Sequence, residues 1–167
     1  MHEFDVKDSS YDINNELQEV NIDVNGVLRG VHYFLPQLLK KSSGGTIMNV
    51  SSGLALVPFP GAPVYSATKA FVHSYTTSLR IQLANTKVKV VELLPPGVET
   101  PMTDGPIRAR AKEAGFTWMP VDEFVAVVRA DLNANKEEIF PGDSYSMSIM
   151  ARVAPSFLLG QLSKDIK

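Results

Sequence analysis

The sequence predicts an α/β fold, a doubly wound domain on a small parallel sheet of about three strands. Three observations predict it. Short β-favouring runs alternate with longer stretches of helical period, the pattern of βαβ units. One of those runs, Val88 to Leu94 (VKVVELL), is almost continuously apolar, as a strand buried on both faces reads. A chain of 167 residues with 44% hydrophobic and 20% charged side chains suits one globular domain.

Residues 1–15 are polar, with Asp, Ser and Asn at short intervals, and read as a leading loop before a helix start. From Glu16 to Lys40, the apolar residues Val24, Val27, Leu28, Val31, Leu35 and Leu38 are spaced mostly three and four apart. That is the stripe of a long amphipathic helix, which Pro36 is expected to kink or break. Ser42-Ser43-Gly44-Gly45 makes a turn into a strand at Thr46–Val50, which leaves through Ser51-Ser52-Gly53. A Pro- and Gly-rich loop follows over Leu56 to Pro63. Phe71, Tyr75 and Leu79 then mark a helix from Val64 to Leu83. The apolar strand at Val88 stops at Pro95-Pro96-Gly97. The stretch Val98 to Met119 has little periodicity, Pro120 opens a helix to Asn133, and Glu138–Phe140 is a short third strand. Ser146 to Leu162 is a last helix interrupted by Pro155. The parallel sheet is expected to be covered on both sides.

Several functions are excluded. Sixteen basic against eighteen acidic residues, net −2 with no block of one sign, offer no face for nucleic acid. Zero cysteines remove disulfides, thiolate metal sites and a thiol nucleophile. No apolar run approaches the roughly 18 residues of a membrane span, and the first residues do not resemble a secretory leader. A soluble cytoplasmic protein is expected. His2, His32 and His73 lack the close pairing of metal ligands and are read as surface or helix-packing residues. Trp118 and Met119 read as core in preference to pocket lining.

Tyr65 and Lys69 stand four apart at the start of a predicted helix, so both project from one face. A phenol has a pKa of about 10, and an acid or base catalyst works best nearer neutrality. A fixed ammonium one turn away favours the phenolate. The pair alone arises by chance in about one such sequence in three. Its position adds weight, because Ser52 ends the preceding strand and parallel sheets take ligands beyond the carboxyl ends of their strands. There a hydroxyl can hydrogen-bond a carbonyl or alcohol while Tyr65 exchanges the proton.

The blocks VNIDVNGVLRGVHYFLP, GGTIMNVSSGLA, PVYSATKAFVHSYTTSLR and VKVVELLPPGVETPMT run in order from Val20 to Thr103. They resemble the C-terminal two-thirds of the short-chain dehydrogenase/reductase family, in its DltE-like branch. The resemblance implies a Rossmann-like fold and an oxidoreductase that interconverts an alcohol and a ketone with NAD or NADP. It implies Tyr65 as catalytic acid/base, Lys69 as the group that lowers its pKa and holds the nicotinamide ribose, and Ser52 as the group that orients the substrate oxygen. Val98, through its backbone, and Thr100, through its hydroxyl, would meet the carboxamide. It also implies a homo-oligomer joined through the long helix and the Tyr-bearing helix.

The sequence departs from the family in three places. Where the family's catalytic Asn is expected, thirteen residues before Pro36, this chain has Asp23, with Asn25 two positions on. An Asp exchanges an amide donor for a negative charge near Lys69, and Asn25 compensates only if the helix shifts. The family's Pro-Gly after the strand reads Pro95-Pro96 here. The family's Gly-rich loop, which cradles a pyrophosphate, is not among these residues: Gly105 and Gly115 are isolated, and Gly44-Gly45 precedes a strand. The expected organisation is one partial domain over 1–167, with a catalytic core at 16–103 and a substrate loop and C-terminal helices at 104–167.

Alternatives remain open. The Tyr/Lys/Asp pocket also suits a cofactor-free isomerase, dehydratase or cyclase with Asp23 as base. A silent dimerisation module, or an upstream coding segment that carries the Gly-rich loop, would equally explain the pattern. The substrate would be a small carbonyl or alcohol selected by the segment Met102 to Met119. Without further strands, Thr46–Val50 is expected to have an open edge, which favours association.

Overall fold

In a computed structural model the described residues are 1, 3–9, 11–101, 108 and 117–164. Most of the expected substrate segment (102–107 and 109–116) and His2 lie outside them. Three parallel strands, β1 (Gly45–Val50), β2 (Val88–Leu93) and β3 (Glu138–Ile139), lie in that order across the sheet. Gly45 pairs with Val88 and Val50 with Leu93, so β1 and β2 end together. The helices are α1 (Ile13–Val20), α2 (Gly26–Lys40), α3 (Pro63–Gln82), α4 (Val121–Asn133), α5 (Asp143–Val153) and α6 (Pro155–Leu162).

The predicted long helix is present as two α-helices joined by one π turn, Asn21–Asn25. It begins earlier than expected, at Ile13, because the Asp12 carboxylate caps the Asn14 N–H. Pro36 does not end it, and the helix runs on to Lys40. Pro36 sits on the exposed face, where water can serve the carbonyl that a proline leaves without its helical partner. α3 starts on Pro63, at the first turn, where a missing N–H costs nothing.

Two apolar cores sandwich the sheet. On one side Val31, Leu35 and Leu38 of α2 and Leu79 and Leu83 of α3 meet Ile47, Val88 and Val90. On the other, Phe124, Val128 and Leu132 of α4 meet Val91, Leu93 and Ile139. A third cluster, Val57, Met147 and Leu158, seats α5 and α6 below the loop after β1. Coverage of both faces fails at β1. α4 packs over β2 and β3, and Met48 and Val50 are 42% and 45% exposed. Among the described residues β1 bonds only β2, so it carries the open edge that was expected.

The apolar strand hides a charge. Glu92, wholly buried on β2, accepts a hydrogen bond from Ser51 Oγ (2.5 Å) and pairs with His73 Nδ1 of α3 at 2.9 Å. His73 is therefore not a bland surface histidine. Its pKa is raised above the usual value, chiefly by the Glu92 bond with help from Glu138, against burial and Arg152. A raised histidine stabilises the fold fully below its unfolded pKa of about 6.5, and the contribution is lost as pH climbs through the folded value.

His73→Ala should cost about 3 kcal/mol near pH 6 by leaving a buried carboxylate without its cation. The deficit against wild type should shrink as pH rises through the His73 folded pKa. Urea denaturation of both proteins across that range checks it.

Candidate active site

The site is built where β1 and β2 end. Their pairing continues past the strands, Ser51 N–H to Leu93 C=O and Gly53 N–H to Pro95 C=O, each at 2.9 Å. This ties the Ser51-Ser52-Gly53 corner to the Pro95-Pro96 corner. Ser52 is extended and buried, and its hydroxyl caps a 3₁₀ turn, Gly53–Ala55, through the Leu54 N–H at 3.1 Å. The loop then returns to α3. The Ser66 hydroxyl receives the Phe59 N–H (3.2 Å), which fixes the first turn and brings Tyr65 to the strand ends.

Ser52 lies close enough to Tyr65 to lower its pKa, so the two residues singled out from sequence do meet. Lys69 follows one turn later, its ammonium 5.4 Å from the centre of the Tyr65 ring. Asp23 reaches in from the π turn: its Oδ1 is 3.4 Å from Lys69 Nζ, and its Oδ2 lies 3.3 Å from the Thr68 hydroxyl. Asn25 does not replace it, because its amide donates to Asn21 at 3.1 Å. Thr68, which also donates to the Tyr65 carbonyl (2.8 Å), was missed in the sequence. So was Glu19, whose charge bears on Tyr65.

The electrostatics run opposite to expectation. The Tyr65 pKa is pushed up to about 12, first by burial, then by the negative charges of Asp23 and Glu19. Ser52 lowers it in part. Lys69 is not among the groups that lower it, and its ammonium lies 3.4 Å from Asp23 Oδ1. The ligand-free phenol is therefore neutral near pH 7 and a weaker acid than a free tyrosine.

Val98 and Thr100 follow the second corner. Gly97 C=O accepts from Met119 N–H (2.9 Å) and Glu99 N–H donates to Met119 C=O (3.0 Å), which makes a parallel bridge at Val98. Both bonds use the flanking peptides and turn the Val98 N–H and C=O away from Met119. Trp118 is half-buried against Gly97, so neither it nor Met119 is wholly core. Hydroxyls, an ammonium and an outward-turned peptide at one sheet edge fit the nicotinamide and ribose end of a dinucleotide. Nothing among the described residues provides a glycine-rich pyrophosphate cradle. Nor do they include a cluster of ligands for a metal ion, or a helix long and apolar enough to cross a membrane.

Several known proteins resemble this chain. A model of the short chain dehydrogenase family matches residues 4–110. The uncharacterized oxidoreductase DltE of Bacillus subtilis strain 168 is 33% identical over 139 residues, covering 82% of this chain and 53% of its own length. A short chain dehydrogenase from Burkholderia cenocepacia J2315, solved in complex with NADP, superposes with a TM-score of 0.76. It is 27% identical, over 92% of this chain and 63% of that one. A 3-ketoacyl-(acyl-carrier-protein) reductase from Brucella melitensis, complexed with NADH, gives 0.65 at 27% identity over 78% and 54% of the two chains. The chain spans about half the length of the curated relatives it matches.

A Cβ on Gly97 would lie 2.7 Å from the Trp118 ring. Gly97→Ala should therefore displace Trp118, loosen the Val98 bridge and cost about 1–3 kcal/mol. Thermal denaturation and Trp118 fluorescence together check this.

Proposed function

The chain belongs to the short chain dehydrogenase family, and we propose that it contributes the catalytic half of an NAD- or NADP-dependent oxidoreductase that interconverts a small ketone or aldehyde and its alcohol. The observation that supports this reading most is the meeting of Ser52, Tyr65 and Lys69 at the carboxyl ends of β1 and β2. Lys69 and Tyr65 would hold the nicotinamide ribose, and Val98 and Thr100 the carboxamide. When bound, the dinucleotide supplies or accepts a hydride.

The chain's own residues do the rest. Ser52 donates to the carbonyl oxygen and fixes it beside the Tyr65 hydroxyl. As the substrate carbon is reduced, Tyr65 transfers its proton to that oxygen and is re-protonated from water. In the oxidative direction the phenolate removes the proton, and the high pKa of Tyr65 leaves little phenolate near neutral pH. The exposed apolar side chains Leu28, Phe34 and Phe71 on α2 and α3 support association through these helices. The cofactor-free alternative draws less support, because its intended base, Asp23, is already paired with Lys69.

The test is carbonyl-dependent loss of reduced nicotinamide absorbance, with NADH and NADPH, over a panel of small ketones and aldehydes. Tyr65→Phe should lower the rate about 10²–10⁴-fold. Reduction should be insensitive to pH through neutrality, and alcohol oxidation should rise about tenfold per pH unit toward the Tyr65 pKa. An undiminished Tyr65→Phe rate would overturn the assignment.

A further inference from the structure

The most unusual backbone in the chain is the π turn Asn21–Asn25 between α1 and α2. Such turns are rare and occur mainly where a helix must re-aim a side chain, often at a functional site. Here the re-aimed residue is Asp23. One carboxylate oxygen lies 3.4 Å from Lys69 Nζ and the other 3.3 Å from Thr68 Oγ1. Side-chain exposures of 20% for Asp23 and 14% for Lys69 leave both partly screened from water, where an ion pair is stronger than at an open surface.

We propose that Asp23 is a positioning residue that acts through Lys69: by holding the ammonium as an ion pair, it withholds that cation from the Tyr65 hydroxyl and sets how readily Tyr65 gives up its proton. This rests on Tyr65 as the acid/base of the proposed function, and it concerns the chain before any ligand is bound. Four charged groups besides Tyr65 bear on the site among the described residues: Asp23 from the π turn, Glu19 from α1, the Met1 ammonium paired with Glu19 at 3.1 Å, and Lys69 on α3 itself. Ser52 acts on the hydroxyl from the β1 corner. The two carboxylates push Tyr65 toward the neutral form, and each is itself paired with a cation, Asp23 with Lys69 at 3.4 Å and Glu19 with the Met1 ammonium at 3.1 Å. With an amide at position 23 the ion pair is gone, and an ammonium 5.4 Å from the ring centre acts on the phenol directly. Asp23 therefore holds the ligand-free phenol neutral and weakly acidic, and a ligand group that draws Lys69 away from Asp23 would leave the ammonium to make it a stronger acid.

The experiment is a ligand-free titration of the Tyr65 phenolate by difference absorbance, each protein measured against its own Tyr65→Phe partner. The set is wild type, Asp23→Asn, Asp23→Glu, Lys69→Gln and the Asp23→Asn/Lys69→Gln double variant. Asp23→Asn should move the Tyr65 midpoint down by about one to three pH units. Asp23→Glu should restore the wild-type midpoint, and the double variant should lose most of the downward shift. A common midpoint for wild type and Asp23→Asn would overturn the proposal. An equal shift with and without Lys69 would also overturn it, because Asp23 would then act by its own charge alone. Were Asp23→Asn not to fold, Lys69→Gln alone decides: a midpoint moved by less than about half a unit supports an occupied cation. A large upward move shows that Lys69 was already acting on Tyr65 and overturns the proposal. Failure of the oxidoreductase reading is separate, since it appears as no carbonyl-dependent nicotinamide oxidation by wild type whatever the titrations give.

Discussion

A buried carboxylate holds the active corner in place. Glu92 sits under the sheet with no solvent exposure, and a charge there persists only if it is paired and hydrogen-bonded. Its two partners are Ser51, directly before Ser52, and His73, one helical turn after Lys69. Satisfying Glu92 therefore fixes the strand end against α3. Further polar ties continue along the same helix. Asn49 donates to Thr76 (2.9 Å), and the Arg80 guanidinium bonds the Val90 carbonyl and the Glu138 carboxylate, each at 3.1 Å. Apolar packing alone would let α3 slide or rotate over the strands. These directional contacts set the height at which Tyr65 meets Ser52.

Above that anchor, the charge balance at Tyr65 is tilted against the phenolate. Burial and two carboxylates outweigh one hydroxyl, and the neighbouring lysine is turned to Asp23. The ligand-free site therefore holds a neutral phenol. It occupies a chain that spans about half the length of its relatives. The residues present suit the reacting end of a dinucleotide, with its pyrophosphate end left to a loop not found among them. That division explains why the chemistry-bearing residues are easy to identify while cofactor preference is not.

Much of this was legible in the sequence, for reasons visible in particular residues. The period of α2 and α3, the Gly-bounded strand at Ile47 and the apolar run at Val88 give the alternating fold, because burial dictates those patterns. Ser52, Tyr65 and Lys69 were legible because strand ends and helix starts are marked by Gly and Pro. Glu92 was not, since a single acidic residue in an apolar strand looks like noise until its partners, 19 and 41 residues away in sequence, are seen. The π turn was hidden because Asn21–Asn25 keeps helical spacing on either side. Pro36 misled because its cost depends on whether water reaches the freed carbonyl. The sign of the Tyr65 shift was misread because Tyr-to-Lys spacing says nothing of what else holds the lysine.

If Ser52, Tyr65 and Lys69 form a working nicotinamide site, this chain binds a reduced nicotinamide cofactor. Calorimetric titration of NADH and NADPH into the 167-residue chain tests it most directly. Saturable binding of at least one cofactor, weakened about tenfold or more by Lys69→Ala through the loss of a charged hydrogen bond, is the expected result. Absence of binding, or binding indifferent to Lys69, would contradict it.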